Sequence, residues 1–181
     1  MQVIDTDLPG VRVLAPAVHG DDRGELRELF RDPAGAGADF GPIRQINLTR
    51  SVAGALRGLH WQLPRQGKLV WVTRGRVFDV AVDVRAGSDT FGRHAAVELG
   101  TGQGLWIPPG FAHGLLAVGG DCDVIYALSE PYELRGQRGV RWDDPQLGID
   151  WPVDGAPIVS ARDAALPRLR ELGDEDLPHR P

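Results

Sequence analysis

Residues 76–85, Arg76-Val77-Phe78-Asp79-Val80-Ala81-Val82-Asp83-Val84-Arg85, decide the fold class. Phe78, Val80, Val82 and Val84 recur at every second position on one face, while Asp79, Asp83 and Arg85 fall on the other. A period of two is the signature of a β-strand. Residues 43–49 alternate as well, with Ile43, Gln45, Asn47 and Thr49 on one face and Ile46 and Leu48 on the opposite one. Residues 68–73, 94–99, 104–107 and 123–128 read as further strands. Turns at Arg74-Gly75, Ala86-Gly87-Ser88-Asp89 and Pro108-Pro109-Gly110 separate them. Many short strands without long intervening helices predict a sandwich or closed barrel. Only residues 161–172 carry a helical pattern, interrupted by Pro167. Residues 1–172 are therefore expected to form a single domain, and the acidic, proline-containing stretch 173–181 a loose tail.

Composition narrows the function classes. The chain has 181 residues, enough to bury one substantial core. Its 24 Gly and 14 Pro are dispersed, as expected of many turns rather than of low-complexity sequence. The net charge is −5 and there is no basic run, which argues against a nucleic-acid partner. A single cysteine, Cys122, excludes an intramolecular disulfide and a cysteine-rich zinc site, and it reads as a buried structural thiol. The opening Met1-Gln2-Val3-Ile4-Asp5-Thr6-Asp7 places acids early and lacks the apolar core of a signal peptide. No apolar run approaches the roughly 20 residues that span a bilayer. The expectation is a cytoplasmic protein with no membrane partner.

Two spaced motifs point to chemistry. Gly102, Pro108, Gly110 and His113 stand at the intervals of the second signature motif of the cupin jelly roll. Gly54, His60, Lys68 and Gly75 keep the spacing of the first. Where a metal-binding cupin has a second histidine and a glutamate, however, this chain has Gln62 and Lys68. A cupin metal site draws on three imidazoles and a carboxylate. Protonated lysine has no lone pair to donate, and its charge opposes a cation. The scaffold is kept and the metal is expected to be absent. A lone histidine is more often a core residue than a functional one, but two of them in register with two motifs reverse that preference.

Longer strings identify a family. Asp22-Arg23-Gly24, Gln45-Ile46-Asn47, Leu56-Arg57-Gly58-Leu59-His60 and Gln66-Gly67-Lys68-Leu69-Val70 resemble the dTDP-4-dehydrorhamnose 3,5-epimerase family. So do residues 77–83, Thr90-Phe91-Gly92, residues 106–114, Arg141-Trp142-Asp143-Asp144-Pro145, Asp150-Trp151-Pro152 and Ser160-Ala161-Arg162-Asp163. The resemblance implies a mostly-β, cofactor-free jelly-roll homodimer, built partly from its N-terminal strands. It implies a dTDP-4-keto-6-deoxyhexose as substrate. His60 matches the proton acceptor, Asp163 the residue that steers it, and Tyr126 the proton donor. Arg23, Glu28, Gln45, Asn47, Arg57, Lys68 and His113 match substrate-contacting positions, and Tyr132 an aromatic near the nucleotide.

These residue types suit the reaction. Taking a proton from the carbon beside a ketone leaves an enolate, so the site needs a base, a partner for the oxyanion and an acid on the opposite face. A neutral imidazole at His60 supplies the base, and Asp163 would stabilise the imidazolium it becomes. The Lys68 ammonium would face the oxyanion, and the Tyr126 phenol would return the proton. Tyr132 suits stacking on thymine. Arg23, Arg57 and Arg162 suit a diphosphate through forked, charge-assisted hydrogen bonds. Strict alternation sends Arg57 and His60 to opposite faces, so a bulge or twist at Gly58 is predicted to bring both into one cavity. The chain departs from the family pattern at Leu26, where an aromatic is common, at Ala127, where lysine is common, and at Gln137, near a usual glutamate. These changes leave open whether C3, C5 or both are inverted. The competing readings are a metal-dependent cupin isomerase or oxygenase, and a silent sugar-nucleotide-binding cupin.

Overall fold

A computed structural model describes residues 1–31 and 41–179. β1 (Gln2–Asp5) and β2 (Arg12–Ala15) form a hairpin, and β3 (Val18–Asp21) and β4 (Gly24–Arg27) form another. There follow β5 (Gln45–Ser51), β6 (Ala55–Gln62), β7 (Lys68–Arg74), β8 (Arg76–Asp83), β9 (His94–Gly100), β10 (Gly104–Ile107), β11 (Phe111–Ala117) and β12 (Cys122–Leu128). β13 (Gln137–Gly139), β14 (Ile158–Val159) and the single-turn helix α1 (Ala161–Ala164) complete the order. One sheet runs β1-β2-β10-β7-β12-β5 and a second runs β13-β6-β11-β8-β9, with β14 added in parallel to β6. This is the expected mostly-β jelly roll with a short C-terminal helical segment. Among the described residues no helix is long and apolar enough to cross a membrane.

Both faces of the central strands are buried. Val70 and Val72 of β7, Val124 of β12, Val77 and Ala81 of β8, and Phe111 and Leu115 of β11 meet between the sheets in one core. The alternate residues point outward and are covered. On the second sheet Leu59, Trp61, Val80 and Val82 pack under Leu147 and Leu169, with Trp151 edge-on to Phe78 at 5.7 Å. Thus the apolar face read in residues 76–85 lies beneath the C-terminal segment, and its acidic partner face points into the barrel. β5 is inverted too: Ile46 and Leu48 are 63% and 70% exposed, while Asn47 and Thr49 line an interior cavity.

Two expectations are corrected. The helical stretch 161–172 is helical only over α1, and after Pro167, which has no N–H to continue a helix, the chain makes a separate 3-10 turn at Leu169–Glu171. The stretch expected to be a loose tail lies against the barrel as far as His179; residues 180–181 fall outside the described residues. Trp61 Nε1 donates to the carbonyl of Asp176 at 2.9 Å, Arg138 pairs with Asp176 at 2.8 Å, and Leu177 packs on the outer core.

Candidate active site

A cavity of about 700 Å³ opens between the two sheets. Its polar wall continues the inward faces that build the core. Along β7 the inward positions run Lys68, Val70, Val72, and along β11 they run Phe111, His113, Leu115. One polar residue in each series turns core into site.

Arg57 and His60 both line this cavity. The β6–β11 register pairs His113 with His60 but Leu115 with Arg57, so it shifts by one residue between them. Gly58 absorbs the shift with φ +125°, and a Cβ there would lie 2.5 Å from Gly114 Cα. The bulge predicted at Gly58 therefore brings both side chains to one side.

His60 Nε2 lies 2.7 Å from Asp163 Oδ1. A carboxylate only accepts, so the bond holds the ring proton on Nε2 and leaves Nδ1 as the basic nitrogen. Asp163 is placed by three local features. β14 pairs with β6, Ser160 Oγ caps α1 by accepting from the Asp163 N–H, and Asp163 Oδ2 accepts from the Gly58 N–H at 3.2 Å. Burial alone would raise this carboxyl, but the hydrogen bonds from His60 and Gly58 hold it below the usual range. It stays ionised beside the imidazole.

Lys68 is 9% exposed and its Nζ donates to the His60 carbonyl at 2.9 Å, bridging the two sheets. Burial lowers its pKa to about 8, opposed by the charge of Asp79. Tyr126 reaches in from β12 and stands edge-on to His113, with ring centroids 5.8 Å apart. Burial, followed by the charge of Asp79, pushes its phenol well above the ordinary range, so it stays protonated. His60 and Tyr126 therefore face the cavity from opposite sheets.

The other expected residues divide. Asn47, Arg57, His113, Tyr132 and Arg162 line the cavity, and Arg162 approaches the Tyr132 hydroxyl at 3.5 Å. Gln45 is not part of the lining; its side-chain oxygen accepts from the Tyr132 N–H at 2.8 Å. Arg23 and Glu28 stay outside, Arg23 paired with Asp21 and Glu28 with Arg31. Residues not anticipated as contributors are Arg50, Gln66 and Ser160, which line the cavity, and Asp79 behind it. Ser160 had a signal, since a serine three residues before an acid marks a helix start.

Two of the four positions of a cupin metal site do not offer a metal's donors. The Gln62 amide donates to the Pro131 carbonyl and accepts from Glu133 N and Gln137 Nε2, while Lys68 stands at the carboxylate position. Among the described residues the lining instead carries Arg50, Arg57, Lys68 and Arg162 against a single carboxylate, Asp163, in a chain whose net charge is −5. Such a wall selects for anions.

Comparison with known proteins agrees with this geometry. The family model described as dTDP-4-dehydrorhamnose 3,5-epimerase matches residues 5–171. A dTDP-4-dehydrorhamnose 3,5-epimerase of Sinorhizobium fredii is 42% identical over 168 residues, 90% of this chain and 86% of that one. Among solved structures, the dTDP-6-deoxy-D-glucose-3,5-epimerase of Legionella pneumophila, in complex with dTDP-4-keto-L-rhamnose, superposes with a TM-score of 0.94 at 37% identity. It covers 99% of this chain and 98% of that one. A 3'-monoepimerase from Streptomyces bikiniensis in complex with dTDP-quinovose superposes with a TM-score of 0.88 at 33% identity, over 97% and 92% of the two chains. With its jelly roll, its cationic cavity and its match along nearly the whole length, the chain belongs to the dTDP-4-dehydrorhamnose 3,5-epimerase family.

Proposed function

We propose that this protein epimerises a dTDP-linked 4-keto-6-deoxyhexose at C3, C5 or both, without metal or cofactor. The observation that carries this reading is the opposition of His60 and Tyr126 across one cavity, with Lys68 between the sheets. Nδ1 of His60 takes the proton beside the C4 ketone, and Asp163 stabilises the imidazolium formed. The electron pair moves onto the ketone oxygen, where the Lys68 ammonium offsets the charge. Tyr126 then protonates the carbon from the other face, which inverts the centre. The cationic lining and Tyr132 suit the diphosphate and the thymine.

Incubation with dTDP-4-keto-6-deoxyglucose in D2O, with label read by NMR at C3 and C5, tests the reading. Label at either carbon is expected. Its absence at both would sink the proposal and favour a silent binding protein. Tyr126→Phe should keep exchange within about tenfold of the native rate while inversion falls by about a hundredfold, because abstraction survives and delivery from the far face does not.

We also infer a homodimer in which the β3–β4 hairpin of one copy reaches the cavity of the other. Arg23 and Glu28 are not in the lining of their own chain's cavity, and Val18, Leu26, Ile46 and Leu48 form apolar surface on that hairpin and on edge strand β5. Light scattering should give twice the chain mass; a monomer that still turns over would exclude this arrangement. The buried thiol Cys122 fits a reducing compartment, and we place the enzyme in the cytoplasm.

A further inference from the structure

Asp79 has no assigned part in this chemistry, yet its surroundings are hard to explain by packing. It sits on the inward face of β8 between Val77 and Ala81 and is 0% exposed. The β8–β11 register pairs Ala81 with His113 and Asp79 with Leu115, so Asp79 and His113 are diagonal neighbours on one face. Its Oδ1 lies 2.8 Å from His113 Nε2. Its Oδ2 is buried with no hydrogen-bond partner among the described residues. An ionised carboxylate left half-satisfied in a dry interior disfavours folding, and a leucine would fill the same space without that penalty. The group therefore calls for a role other than filling the core.

Its neighbours supply one. His113 lines the cavity on one side and meets Asp79 on the other, and its ring packs edge-on to Tyr126. Lys68 is the only lysine in the chain; every other one of the 20 lysine-plus-arginine positions is arginine. Sharing the cavity with Lys68 are Arg50 from β5, His60 and Arg57 from β6, His113 from β11, Tyr126 from β12, Tyr132 after it, and Asp163 and Arg162 from α1, with Asp79 of β8 behind His113. Of the two carboxylates in this group, Asp163 is committed to His60 and Gly58.

We propose that Asp79 is a positioning residue for the epimerisation: its sealed carboxylate fixes His113 with Nε2–H turned away from the cavity and keeps the Lys68 ammonium charged. The role rests on the reading of Lys68 as the partner of the enolate oxygen. It accounts for the bare oxygen, since a carboxylate saturated by local donors would exert less field on the lysine. It also accounts for a charged lysine in a site that burial would otherwise neutralise.

Because there is one lysine, protein grown on 13C,15N-labelled lysine gives one side-chain signal, and its titration can be followed by NMR without substrate. The native midpoint is expected at about 8. In Asp79→Asn the amide oxygen can still accept from His113, so ring placement is kept while the charge is removed. The Lys68 midpoint should fall by about one unit, the low end of the effect of a nearby opposite charge. The alkaline limb of kcat should fall with it, and kcat at pH 8 should drop about fivefold with KM within about twofold, as the protonated fraction there falls from about one half to about one eleventh. Asp79→Leu removes both charge and acceptor; it should show the same midpoint shift and a larger loss of kcat, and it replaces the asparagine variant should that one fail to fold. A folded variant with an unmoved Lys68 midpoint overturns the inference, whether or not kcat falls, because a purely structural carboxylate would leave the titration alone. Failure of native protein to place solvent deuterium in the sugar would instead overturn the underlying reaction, whatever the midpoint does.

Discussion

Nε2 of His60 lies 2.7 Å from Asp163 and Nε2 of His113 lies 2.8 Å from Asp79, so by hydrogen-bond geometry the two pairs are alike. They differ in access. The His60 side chain is 27% exposed and its carboxylate comes from α1, whereas the His113 side chain is 6% exposed and its carboxylate lies on the neighbouring strand at 0%. A base must meet its substrate and later surrender its proton, which requires an open nitrogen and a route outward. A sealed pair can orient and polarise but exchanges protons poorly. On the proposed mechanism the same two residue types serve transfer in one place and placement in the other, and burial divides the tasks.

The division is most exposed to test by removing each ring. His60→Ala should lower solvent exchange into the sugar by about 10⁴-fold, the upper range for loss of a general base. His113→Gln should cost no more than about a hundredfold, since it takes away a contact and no proton carrier. Equal losses, measured as initial rates of deuterium uptake, would mean that both histidines move protons.

A second test uses pH. Lys68 is the charged group that both walls surround, with a pKa lowered by burial to about 8. Turnover should fall by about tenfold per unit above that pH as the ammonium is lost. Lys68→Met should lie about a hundred- to a thousandfold below the native enzyme and lack this alkaline fall. Stability moves the other way. Between the folded value and the ordinary lysine value of 10.5 the unfolded chain holds more protons at this group, so raising the pH favours the folded state. Thermal melts across pH 7–9.5 that weaken in step with activity would show that the lost turnover is unfolding and not titration of Lys68.

Much of this was legible in the chain. The two spaced motifs pointed to the jelly roll and the longer strings to the family, while the proposed part of Lys68 rests on the exchange of a carboxylate for lysine at that position. What alternation conceals is which face is inside. Residues 45–51 carry Asn47 and Thr49 on the face that enters the cavity and Ile46 and Leu48 on the face that leaves it, the reverse of a plain amphipathic strand. β6 and β11, which hold the two histidines, escape a period-two reading altogether. β11 is buried along its whole length, and β6 loses its alternation where Gly58 takes up the extra residue. Asp79 falls on the polar face of an alternating strand, and nothing local shows that this face is inside, because the segment that covers the opposite face, around Leu147 and Leu169, lies more than 60 residues downstream. Local pattern encodes two faces; only the tertiary cover decides which one is wet.

The smallest expected effect concerns neither pair and marks where their influence ends. Gln62 stands where a metal-binding relative would place a ligand, and here its amide makes hydrogen bonds to Pro131, Glu133 and Gln137 at 2.9, 2.8 and 3.1 Å. Gln66 holds the Glu130 carbonyl at 2.6 Å and Gln45 holds the Tyr132 N–H at 2.8 Å. Three glutamines from two strands and a loop thus fix the segment that presents Tyr132 to the cavity. Gln62→Ala removes its share of these bonds without touching His60, Lys68 or Tyr126. With a net worth of about 1 kcal/mol for a typical hydrogen bond, partly recovered by the two remaining glutamines, KM should rise about three- to tenfold. kcat should stay within about twofold, because binding lost equally from ground and transition states leaves it unchanged. Steady-state kinetics decide the matter: a kcat that falls with the rise in KM would place Gln62 within the reacting half, and the boundary drawn by the two histidine pairs would have to be moved outward to include it.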